Sequence, residues 1–345
     1  MIPPRDPLYL RSGETTVVGK DSRFPPLGFG AAAIGNLYSP VEEEEAEAAV
    51  HEALASDIRL FDTAPLYGYG LSEERLGRAL RGVPRESFSI STKVGRVLRH
   101  AERVAARDSL FAVDRALEAA FDYSRDGVLR SFEGSLQRLG VDRVDVLLLH
   151  DVGRLTHGAA HEDVLRTALD EALPTMHELK RSGSCRVVGL GVNEEAVCME
   201  VLENADIDCI LLAGRYTLLE HECLDGLLRE ATRRSVAVLA AAPFNSGLLG
   251  DPHQAGRTYN YRSVDPETLA RAERLYAAAT AESVDLGAAA LQFPFAHPAV
   301  VSVVAGLRSV AEVRLAAVRM RATIPPTLWR RLRIEGLISP SAPTP

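Results

Sequence analysis

The stretch Phe61-Asp62-Thr63-Ala64-Pro65-Leu66-Tyr67-Gly68-Tyr69-Gly70-Leu71-Ser72-Glu73 decides how the rest of the chain is read. A short apolar run over residues 58–61 closes on an acid, Asp62. Pro65 disfavours helix for the residue before it, and Gly68 and Gly70 permit positive φ, so a loop follows the strand. Ser72-Glu73-Glu74 then opens a helical pattern. An acid at a strand end with a tyrosine five residues on, before a helix, belongs to the top of a βα unit.

Outward from this loop the chain alternates between buried strands and helices. Upstream lie a Gly-containing strand over 27–34, a helix over 42–55 with acids in its first turn, and the strand 59–61. Downstream come a helix over 72–80, a strand 88–92 ending on Lys93, a long Arg- and Ala-rich connection 95–122, and a helix 123–139. The strand 144–149 ends on His150. The second half repeats the rhythm: helix 162–181, strand 185–192, helix 194–203, strand 207–212, helix 222–233 and strand 236–241. A polar loop 244–263 leads to Asp265-Pro266, a capped helix start, then a helix over 288–295, a strand 300–304 and a last helix to about residue 320. Eight alternations with non-alternating apolar strands predict parallel strands wrapped in helices, an α/β fold of the (β/α)8 TIM-barrel type. One domain over 1–345 is expected, with a barrel core at about 27–320. A short N-terminal hairpin from Tyr9-Leu10 and 16–18 falls within the extension 1–26, and a C-terminal tail over 321–345 is expected to fray at its proline-rich end. A dinucleotide fold of the open-sheet type is excluded, because Gly28-Phe29-Gly30 lacks the GxxG continuation.

A net charge of −8 and a pI near 5.7 argue against nucleic acid and anionic membrane as partners. Residues 1–6 do not read as a signal peptide. Cys185, Cys198, Cys209 and Cys223 lie in separate elements without a CxxC, so reduced thiols in a cytoplasmic protein are expected.

Residues at the C-terminal ends of barrel strands converge on one mouth, which would gather Asp62, Lys93, His150 and the loop residue Tyr67. A lysine beside a phenol favours the phenolate, an acid holds the lysine, and a histidine can bond a reacting oxygen. Tyr67 would then be general acid or base at an alcohol or carbonyl oxygen. None of these groups carries a hydride, so redox chemistry requires a nicotinamide cofactor.

Asp62 to Gly68 followed by Ser72-Glu73, with Ser91-Thr92-Lys93, Asp145 to His150 and Ala305-Gly306-Leu307-Arg308-Ser309, resembles the aldo-keto reductases from about residue 27 to 320. The resemblance implies that Tyr67 is the proton donor or acceptor and that Asp62, Lys93 and His150 complete a tetrad. Tyr123 to Val128, Leu149-His150-Asp151, Gly191-Val192-Asn193, Ala213 to Glu220 and Pro243 to Leu249 are similar to the sugar-oxidising branch of that family. That likeness implies oxidation of an aldose hemiacetal, of the L-fucose, L-galactose or D-arabinose type, at C1 to a lactone with NAD or NADP. It further implies Tyr216 stacked on the nicotinamide and Asn193 on its carboxamide. Phe244, Asn245, Ser246, Gly247 and Leu248 would pass over the pyrophosphate, with Gly306, Arg308 and Ser309 toward the adenosine end.

The sequence departs from the family at Val192, Ala213 and Leu315-Ala316. Glu312 stands where a base serves a 2′-phosphate in NADP-selective members, which favours NAD over NADP; Arg308 could still serve that phosphate. No metal is expected: Asp151, His157, His161 and Glu162 form only a superficial cluster on a loop entering a helix. Phe111, Phe121 and Trp329 could line a substrate pocket or anchor the long loop and the tail. A carbonyl reductase running the same tetrad in reverse and a cofactor-binding redox sensor stand as alternatives. A Schiff-base aldolase does not, since a lysine paired with Asp62 stays protonated. The substrate is a small sugar or aldehyde on this reading, and oligomeric state is open.

Overall fold

Eight parallel strands close into a barrel in the computed structural model, which describes residues 16–18, 22–101, 110–253, 258–259 and 262–345. In chain order they are β1 (Leu27–Gly30), β2 (Leu60–Asp62), β3 (Ser89–Val94), β4 (Val146–His150), β5 (Val187–Val192), β6 (Cys209–Ala213), β7 (Ala237–Ala241) and β8 (Val300–Gly306). Each strand pairs with the next, and β8 pairs with β1 to close the ring. Pure closure removes every sheet edge, and the near-continuous apolar strands follow from burial on both faces. Gly30 in β1 packs against the backbone of β8, where an added Cβ would lie 3.0 Å from the Ala305 carbonyl oxygen. The strand therefore ends there, four residues short of the expected 27–34, and a 3-10 turn over Ala33–Gly35 follows.

Two apolar layers fill the fold. Inside the barrel, Leu60, Val146, Leu148, Val187, Leu211 and Leu239 interlock, and Phe24 plugs the end from which the strands start. Outside it, the larger core lies between strands and helices. Helix ends follow local chemistry. Ser124 caps Arg125–Leu139 by accepting from the Gly127 amide, and Gly140 in the left-handed region closes that helix. Asp265 caps Pro266–Ala281 with proline in its first turn, as the sequence predicts. No helix among the described residues is long and apolar enough to cross a membrane.

Three segments differ from expectation. The N-terminal hairpin pairs Thr16–Val18 with Ser22–Phe24, whereas Tyr9-Leu10 lies outside the described residues. The connection 95–122 contains a second hairpin, Arg96–His100 against Leu117–Phe121, laid over the mouth side of β3. The tail is packed rather than frayed. Pro326–Ile334 is a helix whose Trp329 is buried against Phe293, and Leu337, Ile338 and Ala342 are buried beyond it. Arg333 donates to the Ala342 carbonyl at 2.9 Å, which ties the end back onto that helix. Trp329 is thus a tail anchor. Phe121 stacks on Tyr123 at the surface, while Phe111 reaches the mouth.

Candidate active site

The loop after β2 is built around close backbone approach. A Cβ at Gly68, whose φ is +63°, would lie 2.4 Å from the Gly35 carbonyl oxygen, and one at Gly35 would meet the Tyr67 backbone at 2.9 Å. Only glycine lets the two segments touch, and this contact fixes the backbone just past Tyr67. Beneath it, the Ser72 hydroxyl donates to the Ala31 carbonyl and bonds Thr63 Oγ1, both at 2.8 Å and fully buried.

At the mouth the structure brings Asp62, Tyr67, Lys93 and His150 together. Lys93 Nζ donates to Asp62 Oδ2 at 2.8 Å and to the Thr63 carbonyl at 2.9 Å, with the lysine 1 % exposed. Gly191 on β5 makes room for it, since a Cβ there would lie 3.1 Å from Lys93 Cε. Ser91, a residue the sequence reading gave no role, donates from its hydroxyl to Asp62 Oδ1 at 2.7 Å, so both carboxylate oxygens are held. Lys93 Nζ lies 4.7 Å from the Tyr67 ring centroid. The His150 ring stands edge-on to Tyr67 at 6.1 Å, and Phe111 packs on the phenol from another side at 6.0 Å.

The electrostatics sort these groups into roles. Burial pulls the Lys93 ammonium toward neutrality, but Asp62 and Tyr67 outweigh it and hold its pKa above the ordinary lysine value. Burial likewise pushes the Tyr67 phenol up, and Lys93 offsets only part of that rise. The sequence reading had the lysine lowering the phenol outright. Its pull has that sign, but burial wins. Burial lowers His150 to about 3, so the ring is neutral at any physiological pH. Its Nε2 lies 3.4 Å from Asp151 Oδ2, an acceptor, which places the single ring proton on Nε2; Nδ1 is buried without a partner among the described residues.

The tetrad occupies the β2–β4 side of the mouth. On the other side, the ends of β5 to β8 and the loop after β1 enclose a cavity of about 400 Å³. Asn193, Phe244, Asn245, Ser246, Gly247 and Gly306 line it, together with Tyr38, Glu312, Leu315, Ala316 and Arg319. Asn245, Ser246 and Gly247 turn through successive positive φ values of 45°, 58° and 94°. Asn245 donates to the Gly214 carbonyl at 3.4 Å, while its Oδ1 is buried with no partner among the described residues. Tyr38 reaches across to hydrogen-bond Ser246; burial raises the Tyr38 phenol and that bond opposes the rise. A mostly apolar wall with a few fixed polar groups, one of them an unspent acceptor, fits a nicotinamide dinucleotide.

Four expected cofactor residues lie off this wall. Tyr216 is 1 % exposed and packs on Phe293 and His297 at 5.4 and 5.7 Å, so its ring belongs to the core behind the mouth and not to a stacking surface. Leu248 is fully buried. Ser309 caps the helix Val310–Arg321, and the exposed Arg308 is held by Glu312 at 3.2 Å and Ser39 at 3.1 Å. Arg319, which the sequence reading passed over, lines the cavity with its guanidinium 5.7 Å from the Phe244 ring and pairs with Asp285 at 2.7 Å. The residues weighed as a metal cluster have protein partners: His161 with Glu200 at 2.8 Å, and His157 with the Tyr123 hydroxyl at 3.0 Å. All four cysteines are free and buried.

Comparison with known proteins agrees with this geometry. The chain is 40% identical to pyridoxal 4-dehydrogenase of Microbacterium luteolum, over 96% of this chain and all of that protein. It is 37% identical to D-threo-aldose 1-dehydrogenase of a Pseudomonas species, over 97% of this chain and all of the relative. Among solved structures, an aldo-keto reductase of Bacillus halodurans in its holo form superposes with a TM-score of 0.73 at 25% identity, covering 95% of this chain and 97% of that one. The model of the aldo/keto reductase family matches residues 26–326. With a closed eight-stranded barrel and an acid, a lysine, a histidine and a tyrosine gathered at the ends of its second to fourth strands, the chain belongs to the aldo/keto reductase family, as an NAD(P)-dependent oxidoreductase.

Proposed function

We propose that the protein oxidises an aldose of the L-fucose, L-galactose or D-arabinose type at C1 to its lactone, with NAD favoured over NADP. The observation that carries this reading is the buried Asp62–Lys93 pair 4.7 Å beneath the Tyr67 ring, in a chain 37% identical over nearly its whole length to a protein named for aldose oxidation. Bound cofactor supplies the hydride acceptor. The chain supplies the proton chemistry. Neutral His150 donates its Nε2–H to the anomeric oxygen and fixes its position. Tyr67 takes the hydroxyl proton as hydride leaves C1, and Lys93 stabilises the phenolate needed to do so. Asp62, held by Ser91, keeps Lys93 charged and aimed. Asn193, Asn245 and the turn through Ser246 and Gly247 would hold the cofactor, with Gly306 allowing close approach. Glu312 on the cavity wall supports NAD, because its carboxylate would repel a 2′-phosphate.

A second reading draws on the raised Tyr67 pKa. A phenol kept protonated is poised to donate, which suits reduction of an aldehyde. Absorbance at 340 nm decides between them. Purified protein with NAD+ or NADP+ and L-fucose, L-galactose, D-arabinose or pyridoxal should form reduced cofactor with an aldose, and Tyr67→Phe should not. Silence with every sugar alongside turnover of simple aldehydes with reduced cofactor would establish the reductase. Cofactor binding without turnover in either direction would point to a sensor.

A further inference from the structure

Next to the tetrad stands an ion pair, Asp151 with Arg96, whose part so far is only to set the tautomer of His150. Asp151 follows His150 directly, yet its backbone turns into the left-handed region at φ +48°. Such a conformation costs about 1 kcal/mol or more for a non-glycine residue and persists only where its surroundings impose it. Here they do. The Asp151 amide donates to the Gly191 carbonyl at 3.0 Å, and its own carbonyl accepts from Tyr123 Oη at 3.1 Å and lies 3.0 Å from His157 Nε2. The side chain is fixed as firmly. Arg96 Nη2 donates to Asp151 Oδ2 at 2.7 Å, and the Arg96 guanidinium lies 4.1 Å from the Phe121 ring centroid. The Asp151 side chain is 19 % exposed and that of Arg96 13 %, so the pair is neither a solvated surface bridge nor a sealed core contact. Arg96 Nε is buried and has no partner among the described residues. A partly exposed anionic acceptor, fixed in place by Arg96, therefore stands 3.4 Å from the His150 Nε2 to which the reading above assigns the reacting oxygen.

We propose that Asp151, oriented by Arg96, binds the hydroxyl on the carbon next to the reacting one and makes the enzyme selective for 2-hydroxylated substrates. The proposal rests on the tetrad reading above, because it takes His150 Nε2 as the contact for the C1 oxygen. Vicinal oxygens stand about a hydrogen-bond length apart. A C1 oxygen on Nε2 therefore brings the C2 hydroxyl within reach of Asp151, where it donates to the carboxylate. A substrate lacking that hydroxyl covers the partly exposed Asp151 carboxylate without replacing the water it displaces, and a site built to bond a hydroxyl discriminates on those grounds. Arg96 is a positioning residue in this scheme, and Asp151 is the specificity determinant.

The test compares substrates that differ only in that hydroxyl: L-fucose against 2-deoxy-L-fucose for oxidation, and lactaldehyde against propanal for reduction. Wild type should favour the hydroxylated member by ~10–100-fold in kcat/KM, the range of a hydrogen bond to a charged group. Asp151→Asn, whose side chain also tolerates the left-handed backbone, should bring the ratio close to unity by losing rate on the hydroxylated member. Calorimetric affinities for the two sugars, measured with saturating reduced cofactor so that no turnover occurs, should converge in the same variant. A merely structural Asp151 would lower both substrates equally and leave the ratios in place, which overturns the proposal. So does a wild type that does not discriminate. If Asp151→Asn does not fold, Arg96→Lys keeps the charge and loses the fixed fork. Its ratio should fall between the two, and an unchanged ratio overturns the assignment. Silence with every aldose, together with a lactaldehyde preference that Asp151→Asn abolishes, would sink aldose oxidation and leave Asp151 in its role.

Discussion

The two ends of the barrel use the same kind of carboxylate–cation pair for different ends. At the start of β4, Asp145 is 2 % exposed, and its Oδ2 accepts from Arg85 at 2.7 Å and from the Ile90 amide of β3 at 2.8 Å. Asp208, before β6, repeats the device: Lys180 donates to both oxygens at 2.7 Å, and the Val188 amide of β5 to Oδ2 at 2.9 Å. These carboxylates finish the backbone hydrogen bonding of a neighbouring strand, and their cations come from outside the barrel wall. At the opposite end the Asp62 carboxylate accepts, among the described residues, from the side chains of Ser91 and Lys93, and its cation ends beside a phenol. The difference is in what the pair leaves over. The lower carboxylates end on backbone amides and outer cations, and the upper pair delivers a fixed positive charge to the phenol proposed to change protonation state. Stability at the strand starts and chemistry at the strand ends is the division of labour that barrels favour.

The hardest blow to this contrast falls on Tyr67. Tyr67→Phe should lower kcat by roughly 10²–10⁴-fold, the range for a positioned general acid or base, with the thermal midpoint nearly unchanged. Asp145→Ala should do the reverse: a loss of about 3 kcal/mol in urea unfolding, since it strands Arg85 and the Ile90 amide, with turnover per folded molecule preserved. If both variants lose activity and stability in equal measure, the two ends are not functionally distinct.

A sharper cut goes through the upper pair itself. Lys93→Met leaves Asp62 buried without its cation and should cost about 3–5 kcal/mol as well as activity. The double variant Asp62→Leu with Lys93→Met removes both charges and should recover most of that stability while staying inactive. Recovery of activity with stability would mean that the pair only props up the fold.

Less drastic is the pH profile. Burial holds Tyr67 above the usual tyrosine range, and oxidation needs its deprotonated form, so kcat for oxidation should climb as pH rises from 7 toward 10. Reduction needs the protonated phenol and should be flat over the same window. His150, neutral down to about 3, contributes no limb to either profile. A bell centred near pH 6.5 would assign the proton transfer to a histidine instead.

The same contrast explains what could be read from the sequence. Strand ends carrying Asp62, Lys93 and His150 are visible because each follows an apolar run, and the loop with Tyr67 is punctuated by Pro65, Gly68 and Gly70. The hairpin in 95–122 leaves little mark because Leu117-Glu118-Ala119-Ala120-Phe121 has no two-residue alternation, and two of the five residues from Arg96 to His100 are arginines. The tail looked loose because proline suggests an end, yet Trp329 and Leu337 found apolar partners that only the folded barrel presents. A motif does not say which way a ring points, and the Tyr216 ring packs on Phe293 and His297. Asp151 could be seen as a letter after His150, but a positive φ in a non-glycine residue leaves no mark in sequence.

The smallest expected effect lies at the cavity's outer rim, where the upper end of the barrel meets solvent. Glu312 lines the cavity and holds Arg308 at 3.2 Å, with 40 % and 49 % of the two side chains exposed. Exposed pairs are worth at most about 1 kcal/mol, so the charge of Glu312 can shift a binding constant by only about two- to fivefold. Glu312→Gln removes the repulsion toward a 2′-phosphate and loosens the carboxylate's hold on Arg308. Its Kd for NADPH, read from nicotinamide fluorescence, should fall by that factor, and its Kd for NADH should stay put. Raising salt should narrow the wild-type gap between the cofactors in the same direction, because an exposed charge is screened. An equal change for both cofactors would place Glu312 in the helix cap alone, through its bond to the Arg308 amide, and leave the proposed NAD preference without a residue to carry it.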